Sequence, residues 1–181
     1  SLANFLSKRW NRKSTWYKKK WDIIALLYHT TGSGKTFTTV NWLLNSGIAK
    51  GYRVLWLVHR QELVSQALYE FENQLGSLSQ YLIKSINMMA ISGSSEHYGM
   101  SQASRQDVYI ASILSVASKN GQRFISRMLG APGKRKLIVV IDEAHHAVAP
   151  SYLAVLKRIE RLNPNRILLG LTATPVRMSD R

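Results

Sequence analysis

Six apolar runs of strand length recur along the chain: WDIIALLYH (21–29), RVLWLVH (53–59), INMMAI (86–91), VYIASI (108–113), KLIVVI (136–141) and RILLGLT (166–172). Most are continuous rather than alternating, as in strands buried on both faces. Stretches that read as helices lie between several of them, over 35–45, 61–75, 121–129 and 150–162. Gly32, Gly34, Gly51, Gly76, Gly93, Gly130 and Gly133 punctuate the connections. Strand, helix, strand in repetition implies a mainly parallel sheet with helices on both faces. The expected fold class is α/β, with one domain over 21–181 and neither an internal repeat nor a low-complexity linker.

Composition narrows this picture. The 181 residues suffice for one domain with a core, and an apolar share of 45% argues against a disordered chain. The absence of cysteine excludes a disulfide framework and cysteine-bound zinc, and fits a reducing compartment, so a cytoplasmic location is expected. The first apolar run is too short to span a membrane and no small-residue cleavage site follows it, so no membrane partner is expected. The chain starts at Ser1 rather than Met, as a processed chain or a fragment would.

Lys and Arg outnumber Asp and Glu by 25 to 10, a net charge of +15 that attracts polyanions, nucleic acid foremost. Residues 1–20 hold seven of these cations (Lys8, Arg9, Arg12, Lys13, Lys18, Lys19 and Lys20) and no acid, with Trp10, Trp16 and Tyr17 among them. Such a segment reads equally as a phosphate-binding, base-stacking arm or as a tail whose aromatics pack on the domain.

Candidate chemistry begins in LLYHTTGSGKTFTTV (26–40), where a glycine-rich turn joins the first strand to the first helix. Glycines allow successive backbone N–H groups to converge on an anion, and the helix behind adds its positive end. Lys35 can reach the β- and γ-phosphates of a nucleotide, and the Thr36 hydroxyl can bind Mg²⁺. The general G-x-x-x-x-G-K-[ST] pattern would place glycine at 29, where this chain has His29, read as a loop-packing residue.

The second feature is VVIDEAHH (139–146), which follows its own strand. In a parallel sheet the carboxyl ends of the strands share one edge, so Asp142 is expected near Thr36, holding Mg²⁺. Glu143 could then polarise an attacking water. His145 is read as a bridge from the nucleotide edge to neighbouring loops, and His146 as structural. A zinc-protease reading fails on spacing, because H-E-x-x-H is absent and no third ligand lies nearby.

With both segments placed, the chain resembles the first RecA-like motor domain of superfamily-two helicases and translocases, closest to the type I and type III restriction-subunit group. HTTGSGKT (29–36) resembles their phosphate loop, where a residue other than glycine at 29 is ordinary. VLWLVHRQELVSQA (54–67) resembles motif Ia, YIASILSV (109–116) the next nucleic-acid-contacting motif, VVIDEAHHA (139–147) motif II of the DEAH-box type, and GLTATPVR (170–177) motif III. The resemblance covers 29–177 and implies an ATP hydrolase.

It also implies a role for each matching residue. Thr31, Gly32, Ser33, Gly34, Lys35 and Thr36 would bind ATP, with Mg²⁺ on Thr36 and Asp142. Lys35, Asp142 and Glu143 would be the catalytic residues, Glu143 as the base. His145, Thr172 and Thr174 would couple nucleotide state to grip on nucleic acid, and His59, Arg60 and Ser112 would lie along the strand-binding face. DNA rather than RNA is the expected polymer. Two expected segments are missing: an adenine-reading R-P-x-Q ahead of the phosphate loop, and a second RecA-like domain carrying arginines. That second domain is expected in cis or in trans. The competing reading is a truncated, non-hydrolysing remnant that holds nucleic acid by charge.

Overall fold

The computed structural model describes residues 23–28, 34–76, 86–91, 106–130 and 136–173. The basic aromatic segment 1–20 lies outside the described residues, as do His29, Thr31, Gly32, Ser33 and Thr174. In chain order the elements are β1 (Ile23–Tyr28), α1 (Lys35–Trp42), β2 (Arg53–Val58), α2 (Glu62–Gly76), β3 (Met88–Ile91), β4 (Val108–Ser112), α3 (Ile113–Ala117), α4 (Lys119–Gly130), β5 (Leu137–Ile141), α5 (Pro150–Leu162) and β6 (Ile167–Thr172). The six strands form one sheet in the order β1-β6-β5-β2-β4-β3, and every neighbouring pair is parallel. This is the α/β, mainly parallel architecture that the apolar runs imply, and it accords with the RecA-like fold that the resemblance implies.

Burial on both faces explains why the runs are continuous. Side chains alternate across a strand. Leu55 and Leu57 of β2, Tyr109 and Ala111 of β4, and Leu137, Val139 and Ile141 of β5 enter one core layer. There they meet Ile113 and Val116 of α3, Phe124, Ile125 and Met128 of α4, and Tyr152, Val155 and Ile159 of α5. The intervening Val54, Trp56, Val58, Val108, Ile110, Ile138 and Val140 enter the opposite layer, under Val40 of α1 and Val64, Ala67 and Phe71 of α2. Trp56 is fully buried and meets the Phe71 ring edge-on at 5.7 Å. Truncating an aromatic in such a position costs about 3–5 kcal/mol.

Three boundaries depart from the sequence reading. The run VYIASI was expected to stay extended through 113, but β4 stops at Ser112 and α3 starts at once. Ser112 is extended (φ −74°, ψ 146°) and its hydroxyl accepts from the Ser115 N–H, an N-cap that turns the chain into a helix. After Ser118, α4 begins at Lys119 rather than at 121. At Gly121 a Cβ would lie 1.9 Å from the Ser115 carbonyl oxygen, so α3 and α4 meet at backbone distance. The first helix is shorter than the expected 35–45. It is regular to Trp42, then widens into a π turn (Leu43–Gly47) and tightens into a 3-10 turn (Ile48–Lys50).

Candidate functional site

Because all six strands run the same way, their carboxyl ends share one edge, and the loops that carry the candidate residues leave from there. At the start of α1, Gly34 holds a left-handed conformation (φ 75°, ψ 23°). Nothing would crowd a Cβ there, so the backbone angle alone is what favours glycine. Gly34 provides no side-chain cap and no acid occupies the first turn, which leaves the positive end of α1 available to an anion. Lys35 and Thr36 form that first turn, both partly exposed.

Asp142 follows β5, and its N–H donates to the Leu57 carbonyl at 2.9 Å, extending the ladder with β2. The alternation that sends Ile138 and Val140 toward α1 sends Asp142 the same way. Burial raises its pKa above the usual carboxylate range, and the Glu143 carboxylate adds to the rise. The Glu143 N–H, which donates to Asp142 Oδ1 at 3.0 Å, the Trp56 indole N–H and the Lys35 ammonium act in the opposite sense. Trp56 Nε1 is buried beneath the carboxylate and completes no hydrogen bond of its own, so its field acts without a full bond. A half-buried carboxylate beside a second one is a place for a cation. Among the described residues no three His, Asp or Glu side chains converge as a metal cage. The donor set fits Mg²⁺ that draws most of its ligands from phosphates and water.

Glu143 takes a left-handed turn (φ 49°, ψ 56°), a conformation uncommon outside glycine and concentrated at functional sites. The turn separates its side chain from that of Asp142. Glu143 Oε2 lies 3.3 Å from His145 Nδ1, and the same nitrogen lies 3.2 Å from Thr172 Oγ1 at the end of β6. His145 therefore joins the acid after β5 to the hydroxyl closing β6.

The end of β2 joins the same group. Arg60 Nε donates to His59 Nε2 at 3.1 Å, and Arg60 is exposed. The His59 ring stacks on His146 at 4.1 Å and 20°, and His146 leans on His145 at 4.1 Å and 43°. Burial lowers the pKa of both His59 and His146, with further lowering from Arg60 at His59 and from His145 at His146. Both shifts favour the neutral rings, which can stack without charge repulsion.

Lys35, Thr36, Asp142, Glu143, His145, Thr172, His59 and Arg60 all lie along this edge. Ser112 does not present its side chain there. It is 1% exposed, and its hydroxyl is shared with Ser115 Oγ at 2.8 Å. Sequence reasoning missed Trp56 beneath Asp142 and the linking place of His146. Neither had a signal in the sequence, because both depend on β2 lying beside β5.

A family model described as the type III restriction enzyme res subunit matches residues 5–177. No curated protein matches the chain. Among solved structures, the Hef helicase domain of Pyrococcus furiosus superposes with a TM-score of 0.64 at 23% identity, over 85% of this chain and 30% of that one. The DUF1998 helicase MrfA, bound to DNA and AMPPNP, gives 0.62 at 14% identity over 84% of this chain and 22% of that one. A nuclease-deletion mutant of the type ISP restriction-modification enzyme LlaGI, in complex with a DNA substrate mimic, gives 0.54 at 18% identity over 83% of this chain and 15% of that one. The chain thus spans less than a third of each of these structures, and at these identities they show the fold alone.

Proposed function

This chain belongs to the family of the type III restriction enzyme res subunit, and we propose that it is the ATP-binding motor domain of a nucleic-acid-dependent ATPase, a helicase or DNA translocase. The observation that carries this reading is that the Lys35 ammonium, at the positive end of α1, acts on the half-buried Asp142 carboxylate of another strand end, with Glu143 and His145 turned aside toward Thr172. Simple charge-driven DNA binding has no need of a half-buried acid set against a phosphate-binding helix start.

In this reading the loop from Thr31 to Thr36, with Gly32, Ser33 and Gly34, binds the phosphates, and the Lys35 ammonium takes the β- and γ-phosphate charge. Thr36 and Asp142 hold Mg²⁺, which when bound neutralises charge on the phosphate oxygens. Glu143 orients a water and accepts its proton as the water oxygen attacks the γ-phosphorus and the bond to the β–γ bridging oxygen breaks. His145 holds Glu143 at 3.3 Å and senses the end of β6 through Thr172 at 3.2 Å. Thr174 continues that coupling, and His59 and Arg60 face the nucleic acid. DNA is the proposed polymer, supported by the DNA-bound state of the MrfA and LlaGI structures. A second RecA-like domain, in cis or in trans, supplies arginines, and an arginine of this kind is worth about 10³–10⁵-fold in phosphoryl transfer. The present chain alone is expected to bind Mg-ATP weakly, hydrolyse it slowly and unwind nothing.

The test pairs Lys35→Ala with Glu143→Gln, reading fluorescent-nucleotide binding and phosphate release with and without DNA. Lys35→Ala should abolish nucleotide binding. Glu143→Gln should keep binding and lose about 10²-fold or more in turnover, the scale of general-base catalysis. Normal turnover by Glu143→Gln would remove the base assignment. DNA binding indifferent to ATP and to Lys35→Ala, with no hydrolysis, would instead support the non-hydrolysing remnant.

A further inference from the structure

The charge excess is not spread evenly over the fold. On the layer formed by α3, α4 and α5, Lys119, Arg123 and Arg127 recur every four residues along α4, and Lys157, Arg158 and Arg161 occupy α5. Among the described residues of these helices the one acid is Glu160, whose Oε1 lies 3.5 Å from Arg166 Nη2. On the other side of the sheet, α2 carries Glu62, Glu70 and Glu72 and no Lys or Arg. A surface that only keeps a protein soluble mixes the two signs. Here α2 carries only acids and α4 only cations.

The cationic face is also built rather than merely charged. Arg158 reaches from α5 to α4, donating to Gln122 Oε1 at 3.3 Å and to Ser126 Oγ at 2.7 Å. Both acceptors are neutral, so the guanidinium is held in place with no ion pair to an acid among the described residues. Beside it lies a groove of about 190 Å³, floored by Ala117, Ile125 and Ala154 and rimmed by Gln122, Arg158 and Arg161. Lys119, Arg123 and Arg127 of α4 and Lys157 and Arg161 of α5 are exposed.

We propose that this α4–α5 face is a second nucleic-acid-binding surface, which holds the phosphate backbone of a duplex away from the nucleotide edge. Four residues of helix rise about 6 Å, so the three α4 cations make a line of positive charge roughly 12 Å long, suited to a regular polyanion. Among the described residues no aromatic side chain belongs to the patch, and Phe124 of α4 is buried. Unstacked bases would need such a platform, which favours duplex backbone over single strand. Lys35 and Thr36 belong to α1, whose buried residues pack on the opposite side of the sheet. Binding at α4–α5 is therefore independent of ATP and of sequence, and does not rest on the ATPase reading.

The experiment measures duplex DNA affinity by fluorescence anisotropy between about 50 mM and about 200 mM salt. It compares the full chain, the Arg123→Gln/Arg127→Gln/Arg161→Gln variant, and a Ser65→Asp/Gln66→Glu/Asn73→Asp control that lowers net charge equally on exposed positions of α2. Each phosphate contact contributes about 0.9 to the log–log salt slope. The α4–α5 variant should lose two to three units of slope, roughly, and about tenfold or more in affinity at the low-salt end. Its Mg-nucleotide affinity should be unchanged, and the control should bind like the parent. An unchanged slope in the α4–α5 variant, or an equal loss in the control, would overturn the proposal. So would loss of binding to poly-glutamate with duplex binding intact, which would make the partner an acidic protein.

Discussion

Ser112 separates two accounts of one residue: contact with a bound strand, or cap of an internal helix. Replacing it by alanine removes one oxygen from a side chain that is 1% exposed. That oxygen accepts from the Ser115 N–H at 3.2 Å and shares a hydrogen bond with Ser115 Oγ at 2.8 Å. Loss of an N-cap costs about 1 kcal/mol, and loss of a buried hydrogen bond about the same again. The sum, roughly 2 kcal/mol, is about a thirtyfold change in the folded-to-unfolded ratio. Five residues are too few for α3 to sustain itself, so the loss reaches the tertiary fold. Urea unfolding of Ser112→Ala should show a lower midpoint at an unchanged m-value. Its DNA affinity without denaturant should equal that of the parent. Parental stability together with weakened DNA binding would refute the capping argument and restore Ser112 to the strand-binding face.

Other outcomes follow from the same geometry. Gly121→Ala places a Cβ 1.9 Å from the Ser115 carbonyl oxygen. The usual helix-propensity gain of about 1 kcal/mol should thus give way to a net destabilisation of about 1–3 kcal/mol in the same urea assay, and a stabilised variant would show that α3 and α4 are not in backbone contact. Asp142 has a folded-state pKa above its ordinary 3.8, so across the window from that value upward the native state binds more protons than the unfolded state and stability falls as pH rises. Asp142→Asn should remove that fall, leaving a variant more stable than the parent near neutral pH but unable to use Mg²⁺; a less stable variant there would contradict the burial argument. His59 and His146 have folded-state pKa values below 6.5, so their contribution is present above 6.5 and lost as pH falls through the folded values. His146→Phe keeps a ring against His59 without the titration, and should lose less stability than the parent between about pH 7 and about pH 5.5. An identical acid slope would show that the stack is not what titrates.

Much of this protein can be read before its fold is known. Continuous apolar runs announced six strands because a strand buried on both faces has no polar side to show, and Leu55 and Trp56 do face opposite layers. The placement of Lys35 and Asp142 on one edge also follows, since parallel strands end together. The boundary at Ser112 was legible only in part: the cap rule applies to serine, but an unbroken apolar run concealed where it acted.

The neighbours across strands were not legible. The stack of His59 on His146 needs β2 beside β5, and the bond from His145 to Thr172 needs β6 beside β5. Parallel strands are joined by crossovers long enough to reach several positions in a sheet, so local patterning leaves their order open. The separation of acidic α2 from basic α4 and α5 had the same origin. A sum of charges along the chain is blind to which face of the sheet each helix covers, and packing alone made that choice.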